Sequence, residues 1–152
     1  MSESAHAMTP DVALCAGIVQ QTPEAVIFAD RDGVIRIWNG GAEALFGYTA
    51  SEAQGASLDL IIPERLRAAH WAGYRRAIAT GRTQHGGQIR TTRAVHRDGS
   101  KLYVDMSFGL VVAPDGGALG SMAIARDASA KRALEQALAE CRAAREKACG
   151  AA

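Results

Sequence analysis

Arg97-Asp98-Gly99-Ser100-Lys101-Leu102-Tyr103-Val104-Asp105-Met106-Ser107-Phe108-Gly109-Leu110-Val111-Val112 reads as a turn followed by a long strand. Leu102, Val104, Met106, Phe108 and Leu110 recur with period two, which places them on one face of an extended chain. Asp98-Gly99 supplies the positive backbone angles of a tight hairpin. Residues 87–95 therefore read as the antiparallel partner upstream. Downstream, Pro114-Asp115-Gly116-Gly117 is a second turn, and residues 119–126 form another strand. Arg31-Asp32-Gly33 repeats the same turn chemistry between residues 25–30 and 34–38, which makes a further antiparallel pair.

Helical signals fill the chain between these two groups of strands. Asn39 can cap a helix that carries Ala42, Leu45 and Phe46 at helical spacing and stops at Gly47. Thr49 and Glu52 form a capping box for one more turn, residues 50–54. Residues 58–62 are a brief apolar segment. Pro63 suits the first position of a helix over residues 64–79, with Thr80-Gly81 as its C-cap. Pro10 opens an N-terminal helix with Val12, Leu14, Ile18 and Val19 on an apolar side, and Pro23 ends it. At the other end, Asp127 or Ser129 caps a helix over residues 130–147, in which Leu134, Leu138 and Cys141 form a short heptad-like seam. Residues 1–9 and 147–152 read as frayed ends. The order implies an α+β fold, with an antiparallel sheet and the central helices on one face.

The composition bounds the function. The chain has 152 residues, 48% hydrophobic and 22% charged, enough for one core. Lys+Arg is 17 and Asp+Glu is 16, so neither a nucleic-acid footprint nor a polybasic membrane patch is expected. No apolar run approaches a bilayer span, and no secretory signal is visible, so a cytoplasmic protein is expected. Cys15, Cys141 and Cys149 suit reduced thiols better than a disulfide framework or a metal site. The histidines His6, His70, His85 and His96 are too far apart for a zinc pattern. Asp30 and Asp32 are turn chemistry, and Gly40-Gly41 and Gly116-Gly117 are not phosphate loops. No nucleophile–base arrangement stands out, so no enzymatic activity is expected.

Ile35-Arg36-Ile37-Trp38-Asn39, Ala42-Glu43-Ala44-Leu45-Phe46-Gly47-Tyr48, Leu60-Ile61-Ile62-Pro63-Glu64-Arg65, Arg97-Asp98-Gly99-Ser100 and Ala125-Arg126-Asp127-Ala128-Ser129, in this order and spacing, resemble the PAS family. Each motif alone is weak; together they span roughly residues 22–129. The resemblance implies a five-stranded antiparallel sheet with short helices folded over one face to enclose a pocket for heme, flavin, a small metabolite or nothing. It divides the chain into an N-terminal tail and cap helix (1–21), a sensor domain (22–129) and a C-terminal signalling or coiled-coil helix (130–152). Within the family, the segment around His70 is similar to heme-binding oxygen sensors of the FixL type and to related heme-PAS phosphodiesterases. The likeness implies heme b, with His70 as the proximal iron ligand. Arg90, twenty residues on, would donate to bound dioxygen or a propionate. Arg76 would pair with a propionate, and Met106 and Phe108 would keep the distal side apolar. The methionine that is the sixth ligand in the phosphodiesterase group is not matched, since Gln88 stands there, which favours five-coordinate iron.

Other readings of the same residues stay open. A lone helical histidine also serves as a packing or surface residue, Arg90 as a solvated strand arginine, and the whole domain as a ligand-free interaction module. The light-sensing PAS subgroup carries a reactive cysteine ahead of the long helix, and residues 54–62 hold none, so photoadduct chemistry is excluded while non-covalent flavin is not. Trp38 reads as flavin support or as plain core. His85 and Gln84 enter the loop near the expected propionates. The apolar stripes of both flanking helices lead to the expectation of a homodimer that relays its state to a partner signalling protein such as a histidine kinase.

Overall fold

The structure, a computed structural model, describes residues 11–150. The expectations for residues 1–9, for Pro10 and for residues 151–152 lie outside the described residues. The elements run α1 (Val12–Gln21), β1 (Ala25–Asp30), β2 (Ile35–Trp38), α2 (Gly40–Phe46), α3 (Ala50–Ala53), a 3-10 turn (Leu58–Leu60), α4 (Glu64–Thr80), β3 (Arg90–Val95), β4 (Lys101–Val112), β5 (Ala118–Asp127) and α5 (Ser129–Gly150). The five strands form one antiparallel sheet in the order β2-β1-β5-β4-β3. The expected α+β architecture is therefore present.

One turn design joins three of the strand pairs. Gly33 N donates to Asp30 O, Gly99 N to His96 O, and Gly116 N to Ala113 O. Each glycine has positive φ, at 77°, 84° and 86°. The aspartate before each glycine does not share that conformation, contrary to expectation, because no residue other than glycine has positive φ among the described residues. The turns are three-residue loops closed by a left-handed glycine, a geometry that matches the twist of the flanking strands.

Local chemistry sets most boundaries where the sequence places them. Asn39 caps α2, Gly47 ends it at φ 81°, and the Thr49–Glu52 capping box opens α3. Three boundaries differ. Pro63 is the N-cap residue of α4 rather than its first helical residue. β3 begins at Arg90, three residues later than expected, because Gly86 and Gly87 both take positive φ and Gln88 N closes a turn onto His85 O. α5 continues to Gly150.

The core lies between the sheet and α2–α4. Ala25, Ile27 and Ala29 of β1, Trp38, Phe46, Val104, Met106, Ala123 and Ala125 are buried there. Trp38 and Phe46 are fully buried with ring centroids 5.4 Å apart, and the Trp38 indole N–H donates to Tyr48 O at 3.0 Å. Each such ring contributes on the order of 2–3 kcal/mol through apolar burial. Trp38 is thus core, not ligand support. Gly41 allows α2 to press onto the chain before β1, since a Cβ there would meet Glu24 O at 2.2 Å.

Asn39 does more than cap. Its fully buried side chain accepts from Ala42 N (3.0 Å) and Val26 N (2.8 Å), and donates to Val19 O (2.9 Å), Thr22 O (3.3 Å) and Glu24 O (2.9 Å). One amide therefore ties α1, β1 and α2 together. Asn39→Ala leaves several buried main-chain groups unpaired, at a cost of about 3 kcal/mol. Urea unfolding of Asn39→Ala is expected to show a clearly lower midpoint with an unchanged slope; a midpoint equal to the wild type refutes the hub role.

Candidate functional site

A cavity of about 600 Å³ lies between α4, the loop of residues 81–89 and the inner face of the sheet. α4 presents Leu66, Ala69, His70, Gly73, Tyr74, Ala77 and Ile78 to it. These positions recur at three- and four-residue spacing, so they form one stripe of the helix. Ile27, Ala123, Met106, Phe108 and Leu110 line the sheet side, and Ile61 and Ile62 close the end where α4 begins. The volume and the mostly apolar lining suit a small-molecule site.

Two tethers hold α4 against the sheet. The buried Tyr74 hydroxyl donates to Ala29 O (3.2 Å) and to Asp30 O at the end of β1. Burial raises its hydroxyl pKa above the ordinary range, which keeps it a neutral donor. Trp71 lies against the first hairpin, where a Cβ on Gly33 would meet its ring at 2.2 Å, and its indole donates to Asp59 Oδ1 at 2.8 Å. Asp30 in turn holds the hairpin by accepting from Asp32 N, Val34 N and Arg36 Nε.

His70 faces the chamber and packs beside Trp71 and Tyr74, with ring centroids 5.0 and 5.8 Å away. Its Nδ1 is buried without a hydrogen-bond partner among the described residues. Burial pushes its pKa below the ordinary 6.5, while the Asp59 carboxylate acts weakly the other way. A half-buried imidazole that is neutral and has a buried, unpartnered nitrogen is chemically a metal or hydrogen-bond ligand.

The other expected site residues divide. Arg90 opens β3 opposite Met106, lines the chamber and donates to His85 Nε2, so that imidazole acts as an acceptor. Gln84 and Gln88 also line the chamber. Met106 is buried in the wall, whereas Phe108 lines it but is 42% exposed. Arg76 does not line the chamber; it is exposed, one residue off the stripe that includes Ala77. The sequence reading did not single out Tyr74 or Ile78, although their spacing from His70 places them on the same stripe. The His85–Arg90 contact had no local signal. No lining residue is acidic, so the chamber's polar end is formed by Arg90, His85 and amides.

Comparison with known proteins agrees with this geometry. The sequence profile of a family described as "PAS fold" matches residues 19–133. The chain is 32% identical over 112 residues to the oxygen sensor protein DosP of Escherichia coli, an alignment that covers 74% of this chain and 14% of that protein. It is 30% identical over 92 residues to the sensor protein FixL of Bradyrhizobium diazoefficiens, covering 60% of this chain and 18% of that one. The chain thus spans less than a fifth of the length of these curated relatives. An RNA-binding light-oxygen-voltage receptor superposes with a TM-score of 0.68 at 19% identity, over 94% of this chain and 41% of its own. A PAS domain from Colwellia psychrerythraea gives a TM-score of 0.66 at 21% identity, over 76% of this chain and 94% of its own. At such identities the likeness is one of fold.

The neutral state of His70 has a measurable consequence. Its unfolded pKa lies above its folded one, so on acidification through about 6.5 the unfolded chain takes up the proton first. The contribution of this group to stability is complete above that value and declines below it. Comparison of wild type with His70→Leu by urea unfolding between about pH 7.5 and about pH 5 is expected to show curves that diverge, the variant being less sensitive to acid. Parallel curves would mean that the ring is not held neutral.

Proposed function

Because the chain belongs to the PAS fold family of signalling sensor domains, we propose that its chamber takes a heme on His70 and that the domain senses oxygen or another diatomic gas. The observation that carries this reading is the His70 ring, an imidazole on the chamber wall, neutral through burial, with a buried and unpartnered Nδ1. Neutral imidazole is the common protein ligand of heme iron. A bound heme supplies an iron centre that takes diatomic gases; the chain supplies the rest. His70 holds the metal from the helix side. Tyr74 and Trp71 fix α4, and with it the ring, against β1 and the first hairpin. Met106, Phe108 and Ile27 make the wall apolar. Arg90 offers a guanidinium donor to a partly negative group, since no acid in the lining competes for it. Arg76 has no part in this arrangement, because it is exposed and outside the chamber lining. The oxygen-sensor relative supports the same ligand class. The alternative occupants are a non-covalent flavin or a small metabolite.

In this reading residues 22–129 are the sensor unit, residues 1–21 a cap and residues 130–152 the output helix, which acts on a partner signalling chain such as a histidine kinase. No helix among the described residues is long and apolar enough to cross a membrane. A symmetric homodimer accounts for the uncovered apolar surface. Val12, Leu14 and Ile18 of α1 are 82%, 61% and 61% exposed. Val26, Phe28, Met122 and Ile124 share the sheet face turned away from the chamber. Leu134 and Leu138 continue the contact along α5.

Two measurements test these proposals. Protein purified with hemin is expected to show a Soret band, which His70→Ala loses. Arg90→Ala should keep the band while oxygen affinity falls by about tenfold, the scale of one charged hydrogen bond. A colourless wild type, or a band that survives His70→Ala, overturns the ligand assignment. Gel filtration with light scattering is expected to give a dimer that Leu14→Glu converts to a monomer; a wild-type monomer at high concentration refutes the interface.

A further inference from the structure

We propose that Asp105 and Tyr103, on the outer face of β4, form a clasp that couples strand β3 of the chamber to the base of α5. Alternation along β3 separates two sets of residues. Arg90, Thr92 and Ala94 stand with Met106 and Val104 on the chamber face. Thr91 and Arg93 also border the chamber, but their side chains reach the register partners Asp105 and Tyr103 on the other face.

Both partners also hold α5. Asp105 accepts from the Thr91 hydroxyl on one side and from Lys131 Nζ, 3.1 Å away, on the other. The Asp105 side chain is only 10% exposed, and Lys131 covers it. The Tyr103 ring lies between two guanidinium groups, Arg93 of β3 and Arg132 of α5, each 5.7 Å from its centroid. The Tyr103 carbonyl accepts from Ala128 N at 2.8 Å, and the buried Ala128 carbonyl accepts from Arg132 N at 2.8 Å to start the helix. Two bridges, Thr91–Asp105–Lys131 and Arg93–Tyr103–Arg132, thus run side by side from one edge strand to one helical turn. Beyond that turn every described residue of α5 is exposed.

The clasp gives the helix base two arrangements, engaged and released, and β3 is placed to bias them. β3 is an edge strand, paired only with β4. Residues 90–94 of β3 all border the chamber, and the side chains of Thr91 and Arg93 also meet the clasp. Transmission of a chamber signal along this route rests on the ligand-site reading above; the mechanical coupling does not.

Amide hydrogen exchange on the ligand-free protein tests the coupling directly. Asp105→Asn and Tyr103→Leu are expected to speed exchange over residues 132–138 by about three- to tenfold, the scale of one lost polar contact, while Tyr103→Phe, which keeps the ring, stays near wild type. Thr91→Val makes the distinguishing case, because Thr91 has no described hydrogen bond to α5, yet the same acceleration is expected there. Coupling between two sites is reciprocal, so Lys131→Met should speed exchange over residues 91–95. Exchange in β1 should not change in any variant and reports that the fold is intact. Unchanged α5 exchange in Asp105→Asn would eliminate the clasp. A response in Asp105→Asn without one in Thr91→Val and Lys131→Met would leave a simple helix anchor and refute the coupling. Since no ligand enters this experiment, its failure is separate from failure of the hemin measurement.

Discussion

The arrangement depends on a single buried amide. Asn39 has two N–H donors and an oxygen that accepts twice, and it spends them on the end of α1, the start of β1 and the start of α2. No apolar residue of that size could reach five main-chain groups with four hydrogen-bonding sites, one N–H being shared between two carbonyls, and in a buried site each unpaired group is costly. The consequence reaches further than the local geometry. β1 lies next to the centre of the sheet and contributes Ile27 to the chamber wall. Asn39 fixes its beginning, and Tyr74 fixes its end by donating to Ala29 O and Asp30 O. The chamber is therefore the space left between a strand pinned at both ends and a helix pinned to that same strand.

Whatever was encoded locally could be read from the sequence. The Asp-Gly turns, the Thr49–Glu52 capping box and the period-two run of β4 each involve residues within a few positions of one another, and each is found where its chemistry places it. The start of β3 was hidden because the glycines at 86 and 87 spend their freedom on positive φ, which an extended reading ignores. Asn39 was visible as a cap but not as a hub, since three of its partners lie 15 to 20 residues away. At the candidate site, helical arithmetic alone places His70 and Tyr74 on one face. The same arithmetic puts Arg76 at the edge of that stripe, three residues from Gly73 and seven from Ala69, where its side chain is exposed and outside the lining. Family likeness suggested a role for Arg76, whose side chain the structure leaves exposed and outside the lining.

The sheet has two faces with different tasks, and period two along the strand is what keeps them apart. Apart from Arg90 at the start of β3, inward positions on β3, β4 and β5 are small or apolar where they line the chamber, as with Ala94, Met106 and Ala123. Outward positions on the same strands carry Thr91, Arg93, Tyr103 and Asp105, which bind one another and the base of α5. A rigid central strand would transmit little. An edge strand with one neighbour and a glycine-rich approach is the part of such a sheet whose displacement costs least, because it breaks no second ladder. β3 combines that freedom with residues on both faces, and under the proposed coupling a change in chamber contents would be felt there. α5, docked through one turn and exposed beyond it, is long enough to amplify a small rotation at its base into a displacement of several ångströms at its end.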